Sequence, residues 1–326
     1  MSLFNQIEKP QIPRRQKGVA LITAMLVLAL AALLAVELSD SQFLAIRRTS
    51  NVVVGDTAWE YCVGMEAWAQ QILRRDAKQG QIDHLGEVWA TQAPPLPVQG
   101  GMLQGRLVDQ QGLFNLNNLV VGGQAQIKQL AYFKRLLAQV QVAPELADAV
   151  VDWLDADDNP LNAGAEDGMY LRMTPPYRAA NRPMVDVSEL RLVAGWDEGN
   201  YRKILPYITA LPQQTNINAN TAPSPVLMAI GENPSTNSAR IQETQQQGGF
   251  KTIGEVIELL GLPKAADSSM LSLSSQYFMV ETQASIGGYR VGHRAILRRV
   301  VDKVIVIWRV RGNSDGSTIF TAPTGS

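Results

Sequence analysis

Among its 326 residues the chain has one cysteine, Cys62, and two histidines, His84 and His293. A single cysteine excludes an internal disulfide, so stability must come from the core or from another staple such as a bound metal. Two histidines argue against a His-rich zinc site and leave little material for a hydrolase triad. There is no Gly-x-Ser-x-Gly, no His-Glu-x-x-His and no phosphate-binding glycine loop. The formal net charge is −1, which provides no global field to draw nucleic acid. These absences point away from an enzyme. Cys62 stands among apolar residues at helical spacing and reads as a small buried hydrophobe.

What the chain does have is a long apolar run. Residues 18 to 36 carry no charge and one polar side chain, Thr23. As a helix the run measures about 28 Å, close to the roughly 30 Å hydrocarbon core of a bilayer. Arg14, Arg15 and Lys17 precede it, which predicts a single membrane pass with the N-terminus on the cytoplasmic side. Everything after Glu37 reads as soluble. The run is too long for a cleavable secretory signal, and Val36-Glu37-Leu38 is not a small-x-small cleavage site. The apolar stripe of Trp59, Cys62, Val63, Ala69 and Leu73 continues at three- and four-residue spacing. One long helix is expected over Ala20 to Arg75, only weakened by Gly55 and Gly64.

Arg15-Gln16-Lys17-Gly18-Val19 is a basic leader ending in glycine just before the apolar run. It resembles the type IV prepilin processing site. That resemblance implies cleavage after Gly18 by a prepilin peptidase and methylation of a new N-terminus at Val19.

Further along, Ala93 to Pro97 reads as a linker and Gly101 to Asp109 as a strand. Residues 124–142, 143–155, 186–205 and 222–230 have helical periodicity, with Pro and Gly between them. Gln276 to Ile286 and Tyr289 to Val310 read as two strands about the Gly287-Gly288 turn. The run Val304 to Trp308 is apolar at every position, so the last strand is expected to be buried on both faces. Residues 312–326 have little core material and read as a disordered tail.

Several segments in this order carry a closer likeness. They are Asp109-Gln110-Gln111-Gly112-Leu113-Phe114-Asn115-Leu116-Asn117-Asn118-Leu119, Val151-Asp152-Trp153-Leu154-Asp155-Ala156-Asp157-Asp158-Asn159-Pro160, Gly164-Ala165-Glu166-Asp167, Pro175 to Pro183, Ser188 to Val193, and Asn218-Ala219-Asn220-Thr221-Ala222-Pro223. Together they resemble the minor pseudopilin K family of type II secretion systems, from about Gln16 to about Val310. The resemblance implies an α+β fold: a pilin-like long N-terminal helix packed on a small antiparallel sheet, with a large all-helical insertion. The expected parts are a leader (1–18), the membrane half of the helix (19–40), a pilin-like head (41–112 and 272–311), the inserted domain (113–271) and the tail. It also implies a place in the inner membrane with the C-terminal domain in the periplasm. The implied partners are the minor pseudopilins I and J, the prepilin peptidase, and further the secretin and exported proteins.

In pilin relatives a glutamate five residues into the mature chain is thought to neutralise a neighbouring subunit's N-terminal ammonium. Here that position is Thr23. A subunit without that carboxylate cannot add beneath another by this contact, so it stands first, at the tip, with others adding below. The bulk of the insertion agrees with that place.

The sharpest chemical constellation is the acidic stretch from Asp152 to Asp167. Asp155, Asp157, Asn159 and Glu166 fall at positions 1, 3, 5 and 12 of an EF-hand-like loop. These hard oxygen donors suit Ca²⁺. Asp167 extends the set, and Asn181 is a further donor if its segment folds back. Pro160 replaces the EF-hand's turn glycine and Asn162 its hydrophobic anchor, so the geometry need not be an EF-hand's. The family resemblance independently implies calcium in the insertion. The other reading is a helix end running into a solvated acidic loop.

Two helix-Gly-helix pieces, Leu192 to Trp196 and Leu259 to Leu262, resemble helix-hairpin-helix DNA modules. From Asn115 to Ser275, however, 12 Lys and Arg face 17 Asp and Glu, a net of −5. Affinity for phosphates needs the opposite sign, so no nucleic-acid partner is expected. The basic residues Arg290, Arg294, Arg298, Arg299, Lys303, Arg309 and Arg311 read as a solvated sheet face or a protein contact. Two other classes stay open: a signal-anchored periplasmic binding protein or enzyme, and a DNA-uptake component.

Overall fold

The computed structural model describes residues 15–231, 238–262, 268–301 and 303–312. Contacts divide the chain at Thr57/Ala58 into two compact units.

The first unit holds the beginning of α1 (Arg15–Asp76), a single helix of 62 residues. Its side chains from Gly18 to Val53 have no cover within the chain. An 18-residue window there reaches a mean hydropathy of 2.9, apolar enough to cross a membrane by length and composition.

The second unit holds the rest of α1 and all that follows. After α1 the chain makes β1 (Leu96–Val98) and β2 (Gly101–Asp109). It then enters an insertion built of β3 (Phe114–Asn115), β4 (Val120–Val121), β5 (Gln124–Ala125), α2 (Ile127–Gln139), α3 (Leu146–Leu154) and α4 (Asp167–Tyr170). Next come α5 (Glu198–Ile204), β6 (Ile208–Thr209), β7 (Ile217–Asn218), α6 (Ser224–Met228), α7 (Ser238–Gln246), α8 (Ile253–Leu259) and β8 (Leu271–Ser272). The chain returns through β9 (Tyr277–Ile286), β10 (Tyr289–Val300) and β11 (Lys303–Arg311).

One antiparallel sheet of order β1-β2-β9-β10-β11 results. Strand alternation sends Phe278, Val280, Ala295 and Leu297 to one face, where they pack with Ala69 and Leu73 of α1 and with Trp89. Gly105 is a condition of that packing, because a Cβ there would stand 1.9 Å from the Met65 sulfur. Glu66, buried between helix and sheet, lies 3.0 Å from His293 Nε2 and 2.7 Å from the Arg309 guanidinium. Those contacts hold its carboxyl below the usual range, against the opposing effect of burial. Cys62 is fully buried beside them, as its apolar surroundings predict.

The insertion has its own core, centred on Phe114, Tyr132, Phe133, Leu136, Val150, Trp153 and Tyr170. Helix α3 is buried nearly all round, and its Asp148 accepts Lys134 at 2.6 Å. Short polar caps fix the helix starts. Asp197 accepts the Asn200 N–H at 2.7 Å, and Asp186 and Glu189 form a capping box.

Helical periodicity locates α2, α3, α5 and α6, but the stretch 187–192 is a 3₁₀ helix. Three two-residue ladders, β3 with β6, β4 with β5 and β7 with β8, stitch the helical insertion; no periodicity announces elements so short. The expected linker Ala93–Pro97 ends as edge strand β1, where Pro97 is tolerated because an edge needs fewer ladder donors. The expected single strand Tyr289–Val310 is two strands. Val300 pairs with Lys303, and Val301 takes a positive φ of 34° at the reversal. The last strand is therefore an edge, and it is not buried on both faces: Ile305 and Val310 are each 42% exposed. Gly312, expected to begin the tail, still donates its N–H to the Gly292 carbonyl at 2.7 Å. The rest of the expected tail, and residues 1–14 of the expected leader, lie outside the described residues.

Arg299, expected on a solvated face, is half-buried instead and turned to carboxylates. It reaches Asp76 at 2.7 Å and Asp83 at 2.6 Å. Burial, together with Glu87 and Asp83, pushes the Asp76 carboxyl up to about 6 despite that contact. Arg299→Met would leave the Asp83 carboxylate buried without its cation, a loss of about 3–5 kcal/mol for such pairs. The expected result is a lower denaturant midpoint for the second unit, read by tryptophan fluorescence of the full chain in detergent.

Candidate metal centre

The acidic loop begins where α3 ends. Asp152, fully buried on the last turn of α3, accepts the Leu161 N–H at 3.1 Å and folds the loop back over the helix end. Gly164 makes this closure possible, since a Cβ there would stand 1.7 Å from Asp152 Oδ2. Asp157 Oδ1 accepts the backbone N–H and the side-chain amide of Asn159, both at 2.9 Å, which sets the turn at the loop tip.

Asp155 and Glu166 are both 7% exposed. Asp155 Oδ1 and both carboxylate oxygens of Glu166 are buried with no hydrogen-bond partner. Such orphaned acceptors are rare, because a buried carboxylate without donors is costly. Burial first, and neighbouring carboxylates second, push Asp152 and Asp155 up to about 6 and Glu166 up to about 7. Unpartnered oxygens crowded by like charges suit a hard cation in chemistry, but no three carboxylates of this loop bring their oxygens within 4.8 Å of one another.

The remaining expected donors divide. Asn181 is brought to the loop: its N–H bonds the Trp153 carbonyl at 3.0 Å, and it lines a cavity of about 180 Å³ with Leu154 and Ala156. Asp167 is turned elsewhere, to Arg178 at 3.1 Å and the Ala179 N–H at 3.0 Å. Sequence reasoning did not single out Asp152 as the clamp; its position three residues before Asp155 on a helix was the available signal. Among the described residues, three carboxylates whose oxygens lie within 4.8 Å of one another occur only at Asp76, Asp83 and Glu87. There the Arg299 guanidinium already supplies the positive charge.

At the other end of the chain, Gly18, Val19 and Thr23 all lie within α1. A Cβ on Gly18 would meet nothing within 4 Å, so its role is not in the packing of this chain. The Thr23 hydroxyl donates to the Val19 and Ala20 carbonyls of its own helix, at 3.1 and 3.0 Å.

The Gly164 contact gives a direct test of loop closure. Gly164→Ala is expected to cost roughly 1–3 kcal/mol, the range for overpacking a tight site. Its measure is a lowered melting temperature with α1 helicity kept, followed by circular dichroism.

Comparisons with known proteins match most of the chain. Residues 112–213 and 217–274 match two family models described as type II secretion system (T2SS), protein K. Type II secretion system protein K of Pseudomonas aeruginosa is 39% identical over 313 residues, covering 92% of this chain and 94% of that protein. The protein of the same name from Aeromonas hydrophila is 32% identical, covering 93% and 99%. That of Pectobacterium carotovorum is 33% identical, covering 91% and 97%. A chain in the crystal structure of the GspK-GspI-GspJ complex from enterotoxigenic Escherichia coli shares the fold, with a TM-score of 0.71 at 24% identity, covering 82% of this chain and all of that one. With the long helix, the five-stranded sheet and the helical insertion in place, the chain belongs to the type II secretion system protein K family, the minor pseudopilins.

Proposed function

We propose that this chain is the subunit at the tip of the type II secretion pseudopilus, assembling with minor pseudopilins I and J to support export across the outer membrane. One observation carries the reading. Where pilin relatives place a glutamate, this chain has Thr23, whose hydroxyl is spent on its own helix. It offers no charge to the ammonium of a subunit above it, and only its own amine at Val19 to a subunit below. The solved GspK-GspI-GspJ complex supports the choice of partners. The basic residues before the apolar run support an inner-membrane orientation with a cytoplasmic leader and a periplasmic C-terminal domain. Processing by the prepilin peptidase after Gly18, and methylation of Val19, belong to the same reading. The secretin and exported proteins are its further partners.

The test is purification of the assembled complex from cells carrying the peptidase and both partners. The expected result is one copy of each subunit and a first residue of Val19. Gly18→Phe should leave the chain uncut without disturbing its fold, given the open space at that position. Many copies along isolated filaments, or an intact Met1 in wild-type cells, would contradict the proposal.

The orphaned oxygens of Asp155 and Glu166 favour a second element, a calcium ion in the acidic loop. Asp155, Asp157, Asn159 and Glu166 would hold it, with Asn181 and backbone carbonyls nearby; Asp167 would join only by leaving Arg178. The ion supplies charge neutralisation and loop closure, in a chain that has no disulfide to do so. Ligand present at 100 times its dissociation constant stabilises the folded state by about 2.7 kcal/mol. The full chain in detergent should therefore melt higher in excess Ca²⁺ than in EDTA. Glu166→Gln should melt no lower than the parent in EDTA, since it removes an uncompensated buried charge, and should lose the calcium gain. Equal melting temperatures in both conditions would rule the ion out.

A further inference from the structure

On the sheet face away from α1, a cleft of about 680 Å³ opens between the sheet and the insertion. Its floor includes Met279, Ile296 and Trp308, and its opposite wall Leu205 and Pro206. The floor also carries a row of charges in register: Arg106 and Arg294 both stand opposite Glu281 in the ladders. Glu281 gives its carboxylate to Arg106 at 2.6 Å. Among the described residues Arg294 forms no ion pair, and its Nε is buried without an acceptor. The other carboxylates of the cleft are held by hydrogen bonds and, among the described residues, form no ion pair with Arg294. Asp109 is buried under its own donors, and Asp186 on the insertion wall accepts the Ser188 N–H at 2.9 Å.

We infer that this cleft docks an extended segment of a partner protein that bears one carboxylate flanked by apolar side chains. The charge that remains uncompensated on the floor is the Arg294 guanidinium, which matches a carboxylate in shape and sign. The carboxylate of Asp186 opposite disfavours a run of acidic groups or a polyanion such as nucleic acid. The apolar surface does not stop at the cavity. Leu85 at one lip is 53% exposed and Val185 at the other is 58% exposed. A small enclosed ligand leaves both lips in water, whereas a peptide crossing the cleft covers them. The inference does not depend on the calcium ion or on the tip position.

The test is selection of a random peptide library on the full chain in detergent, with counter-selection on Arg294→Gln. The expected peptides share a single Asp, Glu or terminal carboxylate beside apolar residues. They should bind about tenfold more weakly to Arg294→Gln, as loss of a charge-assisted hydrogen bond predicts. Arg294→Lys should recover part of the loss. Val185→Asp, on an exposed lip, should weaken the same peptides independently of the floor. A melting temperature equal to the parent's checks the fold of each variant. The inference is overturned if no selected peptide depends on Arg294 or if the selected sequences are polyacidic. It is also overturned if octanoate alone occupies the cleft through Arg294 while no peptide does.

Discussion

One buried carboxylate holds the two halves of the head together. Asp109 is the last residue of β2, where the chain leaves the sheet for the insertion. Its Oδ2 accepts Asn218 Nδ2 at 3.0 Å, Thr221 Oγ1 at 2.6 Å and Ser275 Oγ at 2.6 Å, while Oδ1 accepts the Gln111 N–H at 2.8 Å. Thr221 and Asn218 belong to the middle of the insertion, and Ser275 to the point of return. A segment of more than 160 residues is thus closed at its two ends by one side chain. Burial pushes the Asp109 carboxyl up while these donors pull it down. The neighbouring carboxylate, Asp83, accepts the Ser275 N–H at 2.6 Å and is balanced by Arg299. Without donors this much buried acid would not be tolerated; with them, it specifies a single way to join the two parts.

The same logic separates the two jobs of α1. From Ala58 on, the helix is bound to the sheet by Ala69, Leu73 and the Glu66 cluster, and a glycine opposite Met65 leaves room for the Met65 side chain. Before Val53 the side chains are exposed in the chain, and the uncharged run of residues 18 to 36 is apolar enough for lipid. The acidic loop is a third application. Its backbone is set by Asp152 and Asp157, which have donors, and this frees Asp155 and Glu166 to point inward with none. Carboxylates with donors and carboxylates without them lie within a few residues of each other, and only their partners distinguish them.

Much of this could be read from residues alone. The apolar run determines a helix long and apolar enough to span a bilayer, because bilayer thickness is a length requirement that a sequence meets or fails. The spacing of Asp155, Asp157, Asn159 and Glu166 determines a concentration of oxygen donors, because residues so near in sequence cannot be far apart in space. Gly287-Gly288 determines a hairpin, since both glycines take the positive φ that other residues avoid. The reversal after Val300 is not legible in the residues because Val301 gives no such sign. The strand after it looked buried because apolar residues alone do not say whether a neighbour lies beyond.

What the tertiary structure decided are the pairings across long separations. Asp167 belongs to Arg178, and Arg299 to Asp76 and Asp83, although nearness in sequence and composition suggest a ligand and a solvated cation. Glu281 chooses Arg106 over Arg294, its equal in the register, and so leaves one guanidinium alone above an apolar floor. A sequence fixes which charges exist and, through periodicity, which face they share. Which of them meet depends on distances set by the whole fold, and in a buried setting a difference of a few ångströms decides whether a charge is paired or vacant.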